Sequence, residues 1–509
     1  MIRSSIIKFI FTLFKLFLSI KKFQFHSQMI NPMIYQKKIF KKILKKYSHT
    51  QYGKKHSIGS IQAINEFQQK IPIANYNLIA PYIRKDYEKF SHSILPNPAI
   101  KWEYTSGSTN SKKAIPYTSE AMKTFTNALY YWLSDLLKEF SFFKTGVIFY
   151  SISPNSLNEN NGLVDDSEYL PPFFYQYFKK YLINPPKYKM ISDSKEFRIA
   201  IGLYLLENKN LETIFIWSPS YLLSLINEIE CNKEFVLNLI DSNKYKTKNI
   251  LLHYNFSKKR ADEISTHWKN YEKIWPHLRF ISCWTEASAK LFIPKMTKLF
   301  PNVMIQGKGL IATESVYTIP INKAKGAVPL PNDHFYEFRD ENNQIYLLNE
   351  LSLNRPYYII ISNFSGLLRY EIGDQVRATH YYKSLPVLEF IGRGENESDL
   401  TGEKLTAALI DQCLINLGLN SFTSFLHPIN CIPPYYQCVT DCRDPDLPNK
   451  LEVELCKIIH YKESRRLGQL TAIKVKTVDD AQQSFYDYYI ERGIKFGDIK
   501  FSSLIKEFE

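Results

Sequence analysis

The spacing of apolar residues changes at residue 334, and the change fixes the class of fold. Helical patterns near 194–208, 219–242 and 257–272 alternate with short apolar runs at 211–217, 278–284 and 303–305, of the kind buried between helices. Strands alternating with helices imply an α/β layer with a largely parallel or mixed sheet. From residue 334 the period becomes two. Runs at 335–338 and 344–348 flank the polar turn 340–343, and 357–361, 367–372 and 375–381 follow with short turns. That is an antiparallel meander. One more strand, 386–391, ends at Gly392-Arg393-Gly394, where a domain boundary is expected. Beyond it the pattern predicts a helix over 403–417, a loop containing cysteine and proline, a helix near 449–460, a strand over 470–476 and a helix over 479–492. The expected class is α/β: a large N-terminal domain with mixed sheets and an antiparallel β-meander, plus a small C-terminal α+β domain. The divisions fall at 1–34, a basic apolar helix, then 35–391, 392–394 and 395–509.

Three polar stretches interrupt this scaffold. Tyr104-Thr-Ser-Gly-Ser-Thr-Asn-Ser-Lys-Lys113 lies between an alternating strand pattern (Ile100, Trp102, Tyr104) and an extended run over 114–117, after which a helix opens at Thr118 or Ser119. Met122, Phe125, Leu129, Trp132, Leu133 and Leu136 recur along that helix as its expected buried stripe. Hydroxyls at 105, 106, 108 and 109 and amides freed by Gly107 can donate to phosphoryl oxygens, and Lys113 adds charge. The spacing excludes a GxxxxGK[ST] loop, and a Ser/Thr-rich surface turn is the competing reading of these residues alone.

Gly309-Leu-Ile-Ala-Thr-Glu-Ser315 places Thr313 and Glu314 at an apparent strand terminus, where α/β sheets put ligands. A carboxylate beside a phosphate can hold Mg2+; an ordinary strand-end acid is the alternative. Gly366-Leu-Leu-Arg-Tyr-Glu-Ile-Gly-Asp374 places Asp374 after a glycine in a tight turn, where its carboxylate can take both hydroxyls of a ribose, or simply cap the turn.

The net charge of +15 suggests nucleic acid at first sight, but residues 1–65 carry Lys and Arg and no Asp or Glu, and the rest is close to neutral. No nucleic-acid partner is expected. Residues 5–22 form an apolar helix interrupted by Lys8, Lys15 and Lys22, too broken to span a membrane of about 20 apolar residues. Docking on the protein's own core, lying on an anionic membrane surface and cleaved targeting are its three readings, in that order. A second amphipathic helix carries the basic run 37–46. The 7 cysteines show no CxxC pair, which fits reduced thiols in a cytoplasmic protein.

The order of these features resembles the adenylate-forming superfamily: a hydroxyl-rich loop ending in lysine, an Ala-Thr-Glu segment, Arg-Tyr-x-x-Gly-Asp, a Gly-Arg break and a small last domain. Within it, the chain from about residue 35 resembles the auxin-responsive acyl acid amido synthetases of the Gretchen Hagen type, in their bacterial form. Thr50-Gln-Tyr-Gly-Lys54, Ile71-Pro-Ile-Ala-Asn-Tyr76, Phe390-Ile-Gly-Arg393 and Gly402-Glu-Lys404 add to the match.

The resemblance implies activation of a carboxylic acid by ATP to an acyl-adenylate, then transfer to an amine, usually an amino acid. By the match Thr105, Ser106, Ser108, Thr109 and Lys113 would hold the β- and γ-phosphates. Thr313 would contact the α-phosphate, Glu314 the Mg2+ and Asp374 the ribose. Arg393 would sit at a hinge over 392–394, and Lys404 would reach from a mobile domain, 395–509, toward the nucleotide. Asn110 stands where such loops usually carry a second glycine; asparagine tolerates positive φ. Lys495 and Lys500 are candidates by position for a late catalytic lysine, with a solvated surface lysine the favoured reading of each, and Trp284 and 336–338 for an acyl pocket, which core packing explains equally well. A monomer acting on small molecules is expected, and peripheral membrane contact through the basic N-terminal region is the second reading of that helix, after docking on the core. Transfer to a thiol such as coenzyme A, and a non-catalytic relative that binds ligand or membrane, are the alternative functions.

Overall fold

In this computed structural model the described residues are 2–104, 113–139, 145–150, 182–183, 188, 190–191, 193–393, 397–398, 400, 403, 405–420, 423–429, 431, 433–466, 470–494 and 496–505. They divide into two compact units. One gathers the described residues of 1–143 and 307–391, the other those of 144–150, 181–306 and 392–509.

The first unit is built on a seven-stranded sheet ordered 318–321, 326–329, 385–393, 370–382, 356–362, 335–339, 345–347. Strand Phe335–Arg339 pairs antiparallel with Pro356–Ser362, and that strand with Tyr370–Tyr382, as the period of two predicts. The meander departs from expectation at one place. Residues 367–372 and 375–381 are not two strands joined by a turn; Tyr370–Tyr382 is continuous. Its register shifts opposite Tyr358 and Ile360, so the extra residues bulge out around Gly373, whose φ of 84° suits glycine. A bulge looks like a turn in sequence because both need a glycine.

Helix α1 (Ile2–Ile30) is followed by α2 (Pro32–Tyr47), with Pro32 at the first turn, where its missing N–H costs nothing. Helix α3 (Ser119–Glu139) starts where predicted, but its stripe is rotated. Of the expected stripe Leu136 is buried, together with Thr124, Ala128, Tyr131 and Asp135, whereas Met122, Phe125, Leu129, Trp132 and Leu133 are only half-buried. The cause is α1. Phe25 stacks on Tyr131 with ring centroids 4.6 Å apart, Gln28 donates to the Tyr131 hydroxyl at 3.1 Å, and Lys22 pairs with Asp135 at 3.5 Å. A pattern read from α3 alone cannot anticipate which face another helix will take.

The second unit holds a parallel five-stranded sheet ordered 182–183, 147–150, 211–215, 280–282, 304–306. Helices α4 (Ser194–Glu207) and α5 (Pro219–Cys231) pack with it. In the C-terminal segment the expected 403–417 helix is shorter, Ala407–Asn416. The expected cysteine- and proline-containing loop contains a hairpin, Ser424–Ile429 against Tyr435–Thr440, extended by Lys474–Thr477 in parallel. Its Pro428, Pro433 and Pro434 hid the period of two. Helix α6 (Ala481–Glu491) and residues 496–501 share one apolar core with α4 and α5, where Phe496 meets Phe197 and Tyr221 at 6.1 and 5.7 Å.

Candidate active site

In the first unit, strands β1 (Lys101–Tyr104) and β2 (Ala114–Tyr117) pair antiparallel, closing with Tyr104 opposite Ala114. Thr105, Ser106, Ser108 and Thr109 lie outside the described residues, and Lys113 is described at the start of β2. Its ammonium lies 5.9 Å from the centroid of Tyr76. Tyr76 is itself tied to the next residue: the Ala114 N–H donates to its hydroxyl at 2.9 Å, and that hydroxyl donates to the Ala114 carbonyl at 3.2 Å. The lysine therefore emerges from a fixed point over an aromatic face.

At the other end of β2 the Tyr117 hydroxyl donates to the Thr313 carbonyl at 2.6 Å. Thr313 and Glu314 are not at the end of a sheet strand. They form the turn of a small hairpin, Ile311–Ala312 against Ser315–Val316. Gly309 lets the chain enter it: φ is 73°, and a Cβ there would stand 2.7 Å from the Thr318 carbonyl oxygen. Thr318 returns the contact, its hydroxyl accepting from the Leu310 N–H at 2.7 Å.

Glu314 and Asp374, distant in sequence, are both buried, and the charge of each reaches one phenol. Tyr317 has its pKa carried well above the ordinary value, first by burial, then by repulsion from Glu314, Tyr370 and Asp374. Its hydroxyl has no hydrogen-bond partner among the described residues. The Tyr317 carbonyl accepts from Tyr336 at 2.6 Å, which fixes the ring from behind. Nothing in a lone tyrosine within an apolar run flags this position in sequence.

The arginine of Arg369-Tyr-x-x-Gly-Asp374 faces inward, away from any ligand role. Its Nε donates to Glu337 at 2.9 Å, and one Nη donates to the carbonyls of Gln68 and Ile71, both at 2.7 Å. The Ala74 N–H donates to the Arg369 carbonyl at 2.8 Å, and the Glu371 N–H to the Ala74 carbonyl at 2.9 Å. The segment Ile71-Pro-Ile-Ala-Asn-Tyr76 is thus clamped to the strand that carries Asp374, and it ends at the tyrosine beneath Lys113. Two sequence motifs that looked separate are one assembly.

In the second unit, Trp217 and Trp284 follow the C-terminal ends of parallel strands Leu211–Phe215 and Phe280–Ser282, the usual ligand edge of such a sheet. Their rings lie 5.5 Å apart, and the Lys500 ammonium sits 4.0 Å from the Trp284 centroid. Lys495 and Lys404 lie outside the described residues, while Arg393 ends strand Leu385–Arg393. Beside Lys404, Glu403 is fully buried, accepts from the Leu400 N–H at 2.7 Å and is hydrogen-bonded by the Tyr436 hydroxyl. Tyr336 and Phe338 are fully buried in the core of the first unit, the core-packing reading of these residues.

Comparison with known proteins gives a consistent result. Indole-3-acetic acid-amido synthetase GH3.3 of Arabidopsis thaliana is 22% identical over 94% of this chain and 91% of its own. The 4-substituted benzoates-glutamate ligase GH3.12 of Arabidopsis thaliana is 23% identical, over 47% of this chain and 48% of that protein, so the chain spans about half of it. The solved GH3.15 acyl acid amido synthetase shares the fold with a TM-score of 0.77 at 17% identity, covering 95% of this chain and 93% of that one. A 2-hydroxyisobutyryl-CoA ligase in its postadenylation state shares it more loosely, with a TM-score of 0.52 at 11% identity over 86% of this chain and 85% of the ligase. Family models for the GH3 N-terminal, central and C-terminal domains match residues 21–305, 327–393 and 403–509 in turn, and the chain belongs to the GH3 family.

Proposed function

We propose that this chain is an ATP-dependent ligase that activates a carboxylic acid as its acyl-adenylate and passes the acyl group to an amine, with an amino acid as the acceptor. The observation that carries the reading is the burial of two carboxylates, Glu314 and Asp374, in the same unit as the Thr313 turn that Tyr117 ties to β2. Buried carboxylates carry a desolvation cost that a cation and a pair of hydroxyls offset.

ATP supplies the leaving group that a carboxylate lacks. Lys113, with Thr105, Ser106, Ser108 and Thr109, holds the β- and γ-phosphates in this reading, and Thr313 the α-phosphate. Asp374 accepts the ribose hydroxyls, and Glu314 takes Mg2+. Among the described residues no cluster of three acidic, His or Cys side chains could cage a metal alone. Mg2+ held together with nucleotide phosphates needs only one or two protein carboxylates, so Glu314 would be enough to hold it there and it would supply charge neutralisation. The chain's part is placement and charge neutralisation at the α-phosphorus. Residues 395–509 form the mobile domain of this reading, turning about 392–394 with Arg393 at the hinge and bringing Lys404 to the nucleotide. The cytoplasm is the proposed location: no disulfide joins the seven cysteines, and no described helix is long and apolar enough to cross a membrane.

The test is carboxylate-dependent exchange of labelled pyrophosphate into ATP, with Mg2+, across aromatic, indole and fatty acids, followed by product mass spectrometry with amino acids added. Exchange with one acid and an amide product are expected. Exchange yielding a product only with coenzyme A would replace the amine, and silence with every acid together with no ATP binding by calorimetry would overturn the reading.

A further inference from the structure

Helix α1 has two apolar faces, and its own fold uses only one. Leu18, Phe25 and Met29 are buried, with Phe25 and Gln28 engaged on Tyr131 of α3. On the opposite side Leu16, Ile20, Phe23 and Ile30, spaced four, three and seven apart, form a single row in solvent, with Phe23 75% and Leu16 62% exposed. A helix that merely docks on its own core presents a polar outer face. This one does not, and a row of large apolar side chains left in water marks a surface made for a partner.

The charges beside the row say what that partner is. At helical spacing His26 falls along one edge of the exposed face; beside it Lys22 turns inward to Asp135, and on the other side Lys21 lies over the rings of Phe17 and Tyr130 at 5.6 and 5.7 Å. Lys383 and Lys323 gather near the first edge, where burial and then the two neighbouring lysines, Lys22 and Lys323, lower the pKa of Lys383. Near the second, burial and then Lys46 lower the pKa of Lys42, with Lys123 adding to the shift and Glu120 and Asp333 opposing it. Lys37, Lys38, Lys41 and Lys45 of α2 are all exposed, and residues 1–65 contain no acidic side chain. A second copy of this chain would bring like charges together. A flat anionic surface with an apolar interior satisfies both features at once.

We propose that the outer row of α1 is a docking face for an anionic lipid bilayer. Leu16, Ile20, Phe23 and Ile30 enter the boundary between headgroups and acyl chains, and the flanking lysines reach the lipid phosphates on their long stems. The helix lies on the bilayer and does not cross it, in keeping with the absence of any described helix long and apolar enough to span.

The experiment uses the full chain with sedimented vesicles of phosphatidylcholine alone or mixed with phosphatidylglycerol. The expected result is partition onto the mixed vesicles about tenfold or more above the neutral ones, weakening as salt is raised. The triple variant Leu16→Ser, Ile20→Ser, Phe23→Ser is expected to lose about tenfold or more of that binding while melting at the same temperature and keeping pyrophosphate exchange. If it does not fold, Phe23→Ser alone, at the most exposed position, carries the test with a smaller loss. Equal partition onto both vesicle types, or wild-type binding by the folded variant, overturns the proposal. A concentration-dependent dimer that the variant abolishes, without vesicle binding, would assign the row to a second copy instead.

Discussion

Arg369 and Glu337 form an ion pair with Nε to Oε2 at 2.9 Å and side chains only 4% and 1% exposed. The same guanidinium caps the carbonyls of Gln68 and Ile71, so its charge is met on two sides. Removing one partner of a buried pair leaves the other charge stranded, at a cost of about 3–5 kcal/mol. Arg369→Ala is therefore expected to lower the unfolding free energy by about that amount in urea titrations, and Arg369→Met with Glu337→Leu to recover most of it. An Arg369→Ala protein that melts like the wild type but has lost exchange would return this arginine to the catalytic machinery.

Glu314 and Asp374 lead to the opposite expectation. Both are buried carboxylates, so an isosteric amide at either place takes a buried charge, with its desolvation cost, out of the folded state. Glu314→Gln and Asp374→Asn should melt at or slightly above the wild-type temperature while pyrophosphate exchange falls by about 10²-fold or more, the usual loss when one preorganised electrostatic contact is removed. Full exchange in either folded variant would refute its assigned role.

The fold class was legible in the sequence because half-burial imposes a period on apolar residues: two along the later part of Tyr370–Tyr382, near 3.6 along Pro32–Tyr47. What stayed hidden depended on partners distant in sequence. The rotated face of α3 answers to α1, and the bulge at Gly373 imitates a turn. The hairpin at Ser424–Ile429 lost its alternation to prolines. At the site, residue types could suggest Glu314 and Asp374 but not that a hairpin turn and a bulged strand distant in sequence bury both in one unit. Arg369 illustrates the converse: its motif was visible, and its structural role was not.

Asp333 and His334 should give the stability a pH profile with two opposing parts. Burial lowers His334 from 6.5 to about 4, its ring donating from Nε2 to the Val316 carbonyl at 2.9 Å. A base depressed in the folded state stabilises fully above its unfolded value, and that contribution, about 3 kcal/mol at most, is lost as pH falls from 6.5 toward 4. Burial raises Asp333 from 3.8 to about 6, against Asn127 and the charges of Lys21, Lys42 and Lys123. Its contribution is present below 3.8 and lost as pH rises through 6, the reverse sign in the same window. Asp333→Asn is expected to raise stability at pH 7 and to steepen the loss on acidification, read as urea midpoints at several pH values. An unchanged slope would show that the two groups do not govern this window.

Lys500 above Trp284 separates a catalytic lysine from a decorative one by magnitude. A lysine resting on a partly exposed indole contributes about 0.5–1 kcal/mol, so as a surface contact its loss would change stability slightly and rate by no more than a few-fold. A lysine that neutralises developing charge at the α-phosphorus carries several times that free energy in the transition state. Lys500→Met, which keeps the stem over the ring, is expected to melt within about 1 kcal/mol of the wild type and to lose about 10²-fold in exchange rate. Trp284→Phe keeps an aromatic face for the ammonium and should lose only a few-fold. Equal, small effects of the two substitutions would make Lys500 a surface residue and leave the lysine at 495 as the remaining candidate.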